Sequence, residues 1–274
     1  MVVSQRAQRA LITELPGGDA VYRRACRAYT DTVYGALLEA GGKPFFLDKT
    51  PANALVLPYL TALYPEARYL VLTRHPAAIF TSYADSFFGG DFSAAARHNP
   101  VVARYVTAIG HLLRAPPTKC LHLHYESLVA APEATLEQLG DWLGHTLSPA
   151  ALDYQRVPME GTGPGDPLGV PRHTRPVPGS AERWVSRLVA SPEGRAVIDA
   201  QLSAVDPRDL RAWGVERDFW SSLDGADGSR APRRWDRFSI ERRLLVRLRR
   251  AAQRPRLRRL VEKGQDVCDV LLRG

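Results

Sequence analysis

Cysteine is scarce in this 274-residue chain: Cys26, Cys120 and Cys268 lie far apart and form no Cys-x-x-Cys pair. That argues against a disulfide framework or a zinc ribbon and fits a reducing cytosol. Long apolar runs are missing too. No stretch approaches the ~18 residues of a membrane span. The opening MVVSQRAQRALITELPGG lacks the roughly 7–15-residue apolar core of a secretory leader. A cytoplasmic protein is therefore expected, with peripheral membrane attachment left open. No Gly-x-Ser-x-Gly elbow and no Walker lysine loop occurs, so hydrolase and P-loop ATPase readings have no direct support. Internal repeats are also absent.

Basic charge is abundant overall, at +8, yet most of the chain has none to spare. Residues 230–274 hold 15 Lys/Arg against 5 Asp/Glu, which leaves 22 against 24 elsewhere. The body is near neutral, and any acidic partner belongs to the tail. The tail sequence FSIERRLLVRLRRAAQRPRLRRLVEKGQDVCDVLL fits basic amphipathic helices broken near Pro255. Phe238, Ile240, Leu244, Leu245 and Leu248 fall roughly on one face. Such a helix suits an anionic membrane surface or an acidic partner, or packs its stripe on the domain beneath a solvated arginine face. The expected division is a domain over 1–224, with Gly225–Pro232 as a joint, and a helical basic tail over 225–274.

Apolar content of 45% supports a sizeable core. Residues 19–41 carry a helical period closed by Gly41-Gly42. From Pro44 to Tyr83 the chain reads strand, basic turn, helix, strand, basic turn, helix. Pro44–Leu47 and Arg68–Thr73 are the expected strands, and Pro51 and Pro76 suit the first turns of the helices that follow. A helix over about 100–113, a strand over Lys119–Tyr125, a helix from Pro132 to near Gly144 and a short one from Pro149 come next. Residues 158–181 are rich in Pro and Gly and have no period, a pattern more often functional than incidental. Helices are expected over 182–188 and 192–204. Repeated strand–helix units imply an α/β fold with a parallel sheet.

In such sheets ligands lie at the carboxyl ends of strands, where helix N-termini accept phosphate. Lys49 and Arg74 each stand where an apolar run ends, which points to a polyanion, most simply a nucleotide. Lys49 offers an ammonium to a transferring group; the plainer alternative is a surface lysine paired with Asp48. Arg74 offers a bidentate fork, and Ser82 adds a neutral donor. On a continuing strand His122, His124 and Glu126 would share one side, an arrangement open to a metal but better explained as a solvated edge.

The segments Lys49-Thr50-Pro51, LYPEARYLVLTR, RHPAAIFTSY, HYESLVAAPEATLEQLGDWLG and HTRPVPGSAERW occur in an order and spacing that resembles the 3′-phosphoadenosine 5′-phosphosulfate-dependent sulfotransferases. The chain looks closest to their bacterial and tyrosylprotein-like branch. The resemblance spans roughly residues 44–185. It implies a P-loop-NTPase-like parallel sheet flanked by helices and sulfuryl transfer to an acceptor hydroxyl or amine, with 3′-phosphoadenosine 5′-phosphosulfate as co-substrate and no metal. It implies that Arg74 and Ser82 hold the 3′-phosphate and that Lys49 lies near the sulfuryl group. Tyr125 would lie by the nucleotide, with Arg172, Arg175 and Ser180 in a loop over it. The resemblance names no general base; Asp48, beside Lys49, is the candidate.

Two departures stand out. Arg-Asp-Pro is Arg-His-Pro here, so His75 is expected to alter a local cap and leave the phosphate contact intact. The family's Gly-x-x-Arg-Ser-Gly-Thr loop, which cradles the 5′-phosphosulfate with backbone N–H groups, has no counterpart in this sequence. The expectation is a sheet without its first βα unit. Three accounts are open: a longer true coding sequence, a strand supplied by another chain or a rearranged N-terminus, or an inactive homologue that binds nucleotide, or an acidic partner through its tail.

Overall fold

A computed structural model describes residues 2–153, 174–176, 183–216 and 220. The chain divides into two compact units, Met1–Ala67 and Arg68–Gly274. The expected boundary at residue 225 and the basic tail lie outside the described residues.

The first unit is helical. Helix α1 (Val2–Glu14) and α2 (Gly18–Gly41) are joined through Gly17, whose φ of +85° only glycine adopts readily. Gly42 closes α2 in the left-handed conformation: its N–H donates to the Glu39 carbonyl at 3.3 Å, and the Lys43 N–H donates to the Leu38 carbonyl at 3.4 Å. A 3₁₀ turn over Pro51–Val56 leads into α3 (Leu57–Leu63). Arg27 ties α2 to the end of α3: Nη1 donates to the Leu63 carbonyl at 3.1 Å, and the guanidinium pairs with Asp31 and Glu66. It also lies over the Tyr64 ring, 4.9 Å from the centroid.

Pro44–Leu47 is not a strand, contrary to the sequence expectation. Residues 43–50 run exposed, and no ladder partner exists for them among the described residues. Side chains order the segment instead: Phe46 stacks on Tyr34 of α2 with centroids 4.0 Å apart, and the Tyr34 hydroxyl donates to Asp48. A short apolar run carries the same signature whether it pairs in a sheet or lays one ring on a helix.

The second unit is built on two parallel strands, β1 (Tyr69–Thr73) and β2 (Cys120–His124), with Leu70 opposite Leu121 and Thr73 opposite His124. Val71 and Thr73 face inward, whereas Leu70 and Leu72 on the other face are 41% and 51% exposed. After β1 come α4 (Pro76–Phe88), α5 (Phe92–His98), a π-turn over Val102–Val106 and α6 (Thr107–Arg114). After β2 come α7 (Tyr125–Ala130), α8 (Pro132–Leu143) and a 3₁₀ turn over Pro149–Leu152. Helices α9 (Arg183–Val189), α10 (Pro192–Ser203) and α11 (Pro207–Trp213) complete the described part.

Helix α4 is the hub. Ala77, Phe80, Ala84 and Phe88 are fully buried and pack with Phe92, Val102, Val106, Leu188, Ile198, Leu202, Leu210 and Trp213 into one core. Each such aromatic contributes about 2–3 kcal/mol of burial, and the buried Ala77, Ala78 and Ala84 let neighbouring helices approach closely. A bidentate pair fastens α9 to α4: Arg187 Nη2 is 2.7 Å and Nε 3.2 Å from the two oxygens of Asp85. Val102 lies at the start of its helical segment, and the buried Gln201 side-chain Oε1 on α10 accepts its N–H at 3.2 Å. No described helix is long and apolar enough to cross a membrane.

Candidate functional site

The carboxyl end of β1 delivers Thr73, Arg74 and His75, and Pro76 then starts α4. His75 is the helix cap: its Nδ1 accepts from Ala77 N–H at 3.3 Å, which leaves the ring proton on Nε2. Burial, reinforced by the adjacent Arg74 cation, lowers its pKa to about 4, so the imidazole is neutral near pH 7. The ring stacks on Trp184 of α9, centroids 4.4 Å apart and planes within 13°.

Because Thr73 pairs with His124, the residues one step beyond, Arg74 and Tyr125, emerge side by side. The Arg74 guanidinium lies over the Tyr125 ring, 4.4 Å from the centroid. Stacking occupies the face of a guanidinium and not its in-plane N–H groups, the planar set of donors that matches a phosphate or sulfate oxygen pair. The Trp213 indole N–H donates to the Arg74 carbonyl at 3.0 Å, and His75 N–H donates to Glu126 Oε1 at 3.0 Å. Behind this corner the buried Thr73 hydroxyl lies 2.8 Å from His122 Nε2 and 3.2 Å from His124 Nδ1. Burial, then the neighbouring His124, pushes the His122 pKa down.

The structure therefore brings Arg74 and Tyr125 together. Ser82 lies on the exposed side of α4. Arg172 and Ser180 lie outside the described residues. Arg175, also in that loop, is exposed and bonded to Glu133 of α8 at 2.5 Å. Lys49 and Asp48 belong to the first unit. Both are exposed, and Asp48 accepts from Tyr34 at 3.3 Å and Thr50 at 2.7 Å. Lys49 is thus a surface residue, and no ion pair joins it to Asp48 among the described residues.

Glu126 does not share a strand face with His122 and His124. The chain turns helical at Tyr125, so the carboxylate swings to the His75 amide instead. Among the described residues no cluster of His, Cys, Asp and Glu has the arrangement of a metal centre. A groove of about 520 Å³ beside α8 is lined by Glu133, Glu137 and Asp141 together with His145. Its carboxylates suit no polyanion, and the strand-end corner is the site with matching charge.

Sequence reasoning missed Trp213 and the partner of Glu126, because both act across the fold. Trp184, the last residue of HTRPVPGSAERW, carries no local signal that would set it on His75.

Residues 5–149 match the Sulfotransferase family. The nodulation protein NoeE of Sinorhizobium fredii (strain NBRC 101917 / NGR234) is 36% identical over 114 residues, covering 42% of this chain and 26% of that protein. The match thus spans about a quarter of the curated relative's length. Among solved structures, the sulfotransferase domain from the curacin biosynthetic pathway aligns at 24% identity and a TM-score of 0.46, over 63% of this chain and 67% of that one. The sulfotransferase domain from the Synechococcus PCC 7002 olefin synthase aligns at 22% and 0.49, over 76% and 73%. With more than half its length matched, this chain belongs to the sulfotransferase family.

Proposed function

We propose that the chain transfers a sulfuryl group from 3′-phosphoadenosine 5′-phosphosulfate to an acceptor hydroxyl or amine. The observation that carries this reading is a family match over residues 5–149 that includes the Arg74 strand end, with its guanidinium braced on Tyr125. Arg74 and Ser82 bind the 3′-phosphate, and Tyr125, Arg172 and Ser180 supply supporting contacts. The acceptor atom attacks sulfur, and the bond from sulfur to the bridging phosphate oxygen breaks. That oxygen keeps the electron pair, and 3′-phosphoadenosine 5′-phosphate leaves. Lys49 neutralises the charge on the sulfuryl and bridging oxygens. The acceptor proton goes to a base, for which Asp48 is the candidate.

The bacterial-type branch, a P-loop-like sheet and a cytoplasmic setting belong to the same proposal. Calorimetric titration with 3′-phosphoadenosine 5′-phosphate tests it. Wild-type protein is expected to bind and Arg74→Ala to lose most of the affinity; no heat from wild type, or unchanged affinity in the variant, overturns the nucleotide site.

A second reading is favoured by one feature, the excess of 15 Lys/Arg over 5 Asp/Glu in residues 230–274. Under it the chain binds nucleotide without transferring sulfate, or binds an acidic partner or anionic membrane through residues 230–274. Nucleotide binding without turnover of radiolabelled donor across an acceptor panel supports the first form. Unchanged vesicle binding after deletion of residues 230–274 eliminates the second.

A further inference from the structure

Arg74 C=O and His75 N–H are the two polar ends of one peptide unit, and each is held by a side chain from a different element. Trp213, at the last position of α11, donates its indole N–H to the carbonyl at 3.0 Å. Glu126, in the first turn of α7, accepts from the amide at 3.0 Å. The unit therefore cannot rotate about its flanking ψ and φ bonds without breaking a bond to a carboxylate oxygen or stranding a carbonyl beside a buried indole. This peptide joins the end of β1 to the cap of α4. Its orientation sets the direction in which the Arg74 side chain leaves the strand and the place where α4 begins.

Each holding side chain is itself fixed. Trp213 is 3% exposed and part of the core. Helix α11 ends there at Gly214, whose φ is +92° and whose missing Cβ would lie 2.7 Å from His124 Cε1. Glu126 follows directly on Tyr125, the ring that braces the guanidinium. One short turn, His124 to Glu126, thus touches the Arg74 side chain, its following amide and the end of α11.

We infer that Glu126 and Trp213 are positioning residues for anion binding. They clamp the Arg74–His75 peptide from both sides so that the guanidinium is presented, already oriented, to a phosphate or sulfate group. This rests on the nucleotide reading for the identity of the anion, but the clamp itself does not. A preorganised donor loses no orientational freedom on binding, so loosening the clamp weakens affinity with little effect on stability.

The test compares wild type, Arg74→Ala, Glu126→Leu, Glu126→Gln and Trp213→Phe in two measurements. In calorimetry with 3′-phosphoadenosine 5′-phosphate, Glu126→Leu and Trp213→Phe are expected to weaken binding about tenfold. Glu126→Gln keeps an acceptor oxygen and is expected to recover most of that loss. Thermal midpoints should stay within about 5 °C of wild type for the Glu126 variants. Affinities for Glu126→Leu and Trp213→Phe within twofold of wild type, where Arg74→Ala abolishes binding, overturn the inference. So does a loss in Glu126→Gln equal to that in Glu126→Leu. If wild type gives no heat, the nucleotide reading fails and the clamp is judged by amide hydrogen exchange at His75. Faster exchange in Glu126→Leu, by tenfold or more, sustains the clamp; equal exchange in the two proteins refutes it.

Discussion

Replacing His75 with asparagine removes a buried titration without removing a helix cap. The asparagine carbonyl can accept from Ala77 N–H as His75 Nδ1 does. It cannot reproduce the stack on Trp184, a loss of about 1 kcal/mol that does not depend on pH. The pH-dependent part follows from the pKa. His75 falls from 6.5 to about 4 on folding, because burial and the Arg74 cation disfavour imidazolium. Between those values the unfolded chain binds more protons than the folded one, so stability falls as the pH is lowered. The contribution is fully present above 6.5 and is lost progressively toward 4. A shift of that size corresponds to about 3 kcal/mol across the window, at about 1.4 kcal/mol per unit. His122, whose pKa is also lowered, adds a slope of the same sign, but it is present in both proteins and cancels in the difference. The assay is urea denaturation at pH 7 and pH 4.5. Wild type should lose about 2–3 kcal/mol more than His75→Asn over that interval. Parallel curves would show that His75 is solvated or already charged in the folded state, and the stacked, neutral cap would be wrong.

Gly110 on α6 faces Asp209 of α11 so closely that a Cβ would lie 2.6 Å from the Asp209 carbonyl oxygen and Cβ. Gly110→Ala gains about 1 kcal/mol of helix propensity. It also forces backbone apart and disturbs the 2.7 Å contact of Arg114 with buried Asp209. A net loss of about 2 kcal/mol is expected in urea denaturation, and a neutral result would rule out that approach. Gly214→Ala is expected to cost about 2–3 kcal/mol, from positive φ and from the collision with His124. In a His124→Ala background only the collision is relieved, so the double-mutant cycle should show about 1 kcal/mol of coupling; strict additivity would contradict the contact. Lys49→Ala is expected to cut sulfuryl transfer about 100-fold or more while 3′-phosphoadenosine 5′-phosphate affinity changes little. Single-turnover assays with labelled donor decide between that outcome and a uniform loss of binding.

The elements that were legible are those with local signals. Pro76, Pro132, Pro149 and Pro192 each open a helical segment in the structure, because a residue without an N–H fits a first turn wherever it occurs. The runs YLVLT and CLHLH became parallel strands, as repeated strand–helix units require. Helix α11 escaped notice although Asp206-Pro207 is the same kind of start, with Asp206 capping Arg208 N–H, because seven residues carry too little period to register. Helix α7 was hidden inside what read as the end of a strand. Pro44–Leu47 failed for the opposite reason: its apolar run was real, but its partner was a tyrosine ring rather than a strand.

The site divides along the same line. That Arg74 stands at a strand end is a local fact, visible in LVLTR followed by proline. That it meets Tyr125 depends on the pairing of Thr73 with His124, which is a property of the register and not of either segment. Its orientation depends on residues 52 and 139 positions away from it, Glu126 acting through the next amide and Trp213 directly. No periodicity or motif spacing encodes such bonds, because a single peptide unit offers one donor and one acceptor to whatever the fold brings within 3 Å. The residues that read as chemistry in the sequence are thus the ones that a strand end or a short motif marks locally. Those that hold them in place read as core and cap, and only contacts distinguish a tryptophan that fills space from one that also fixes an arginine.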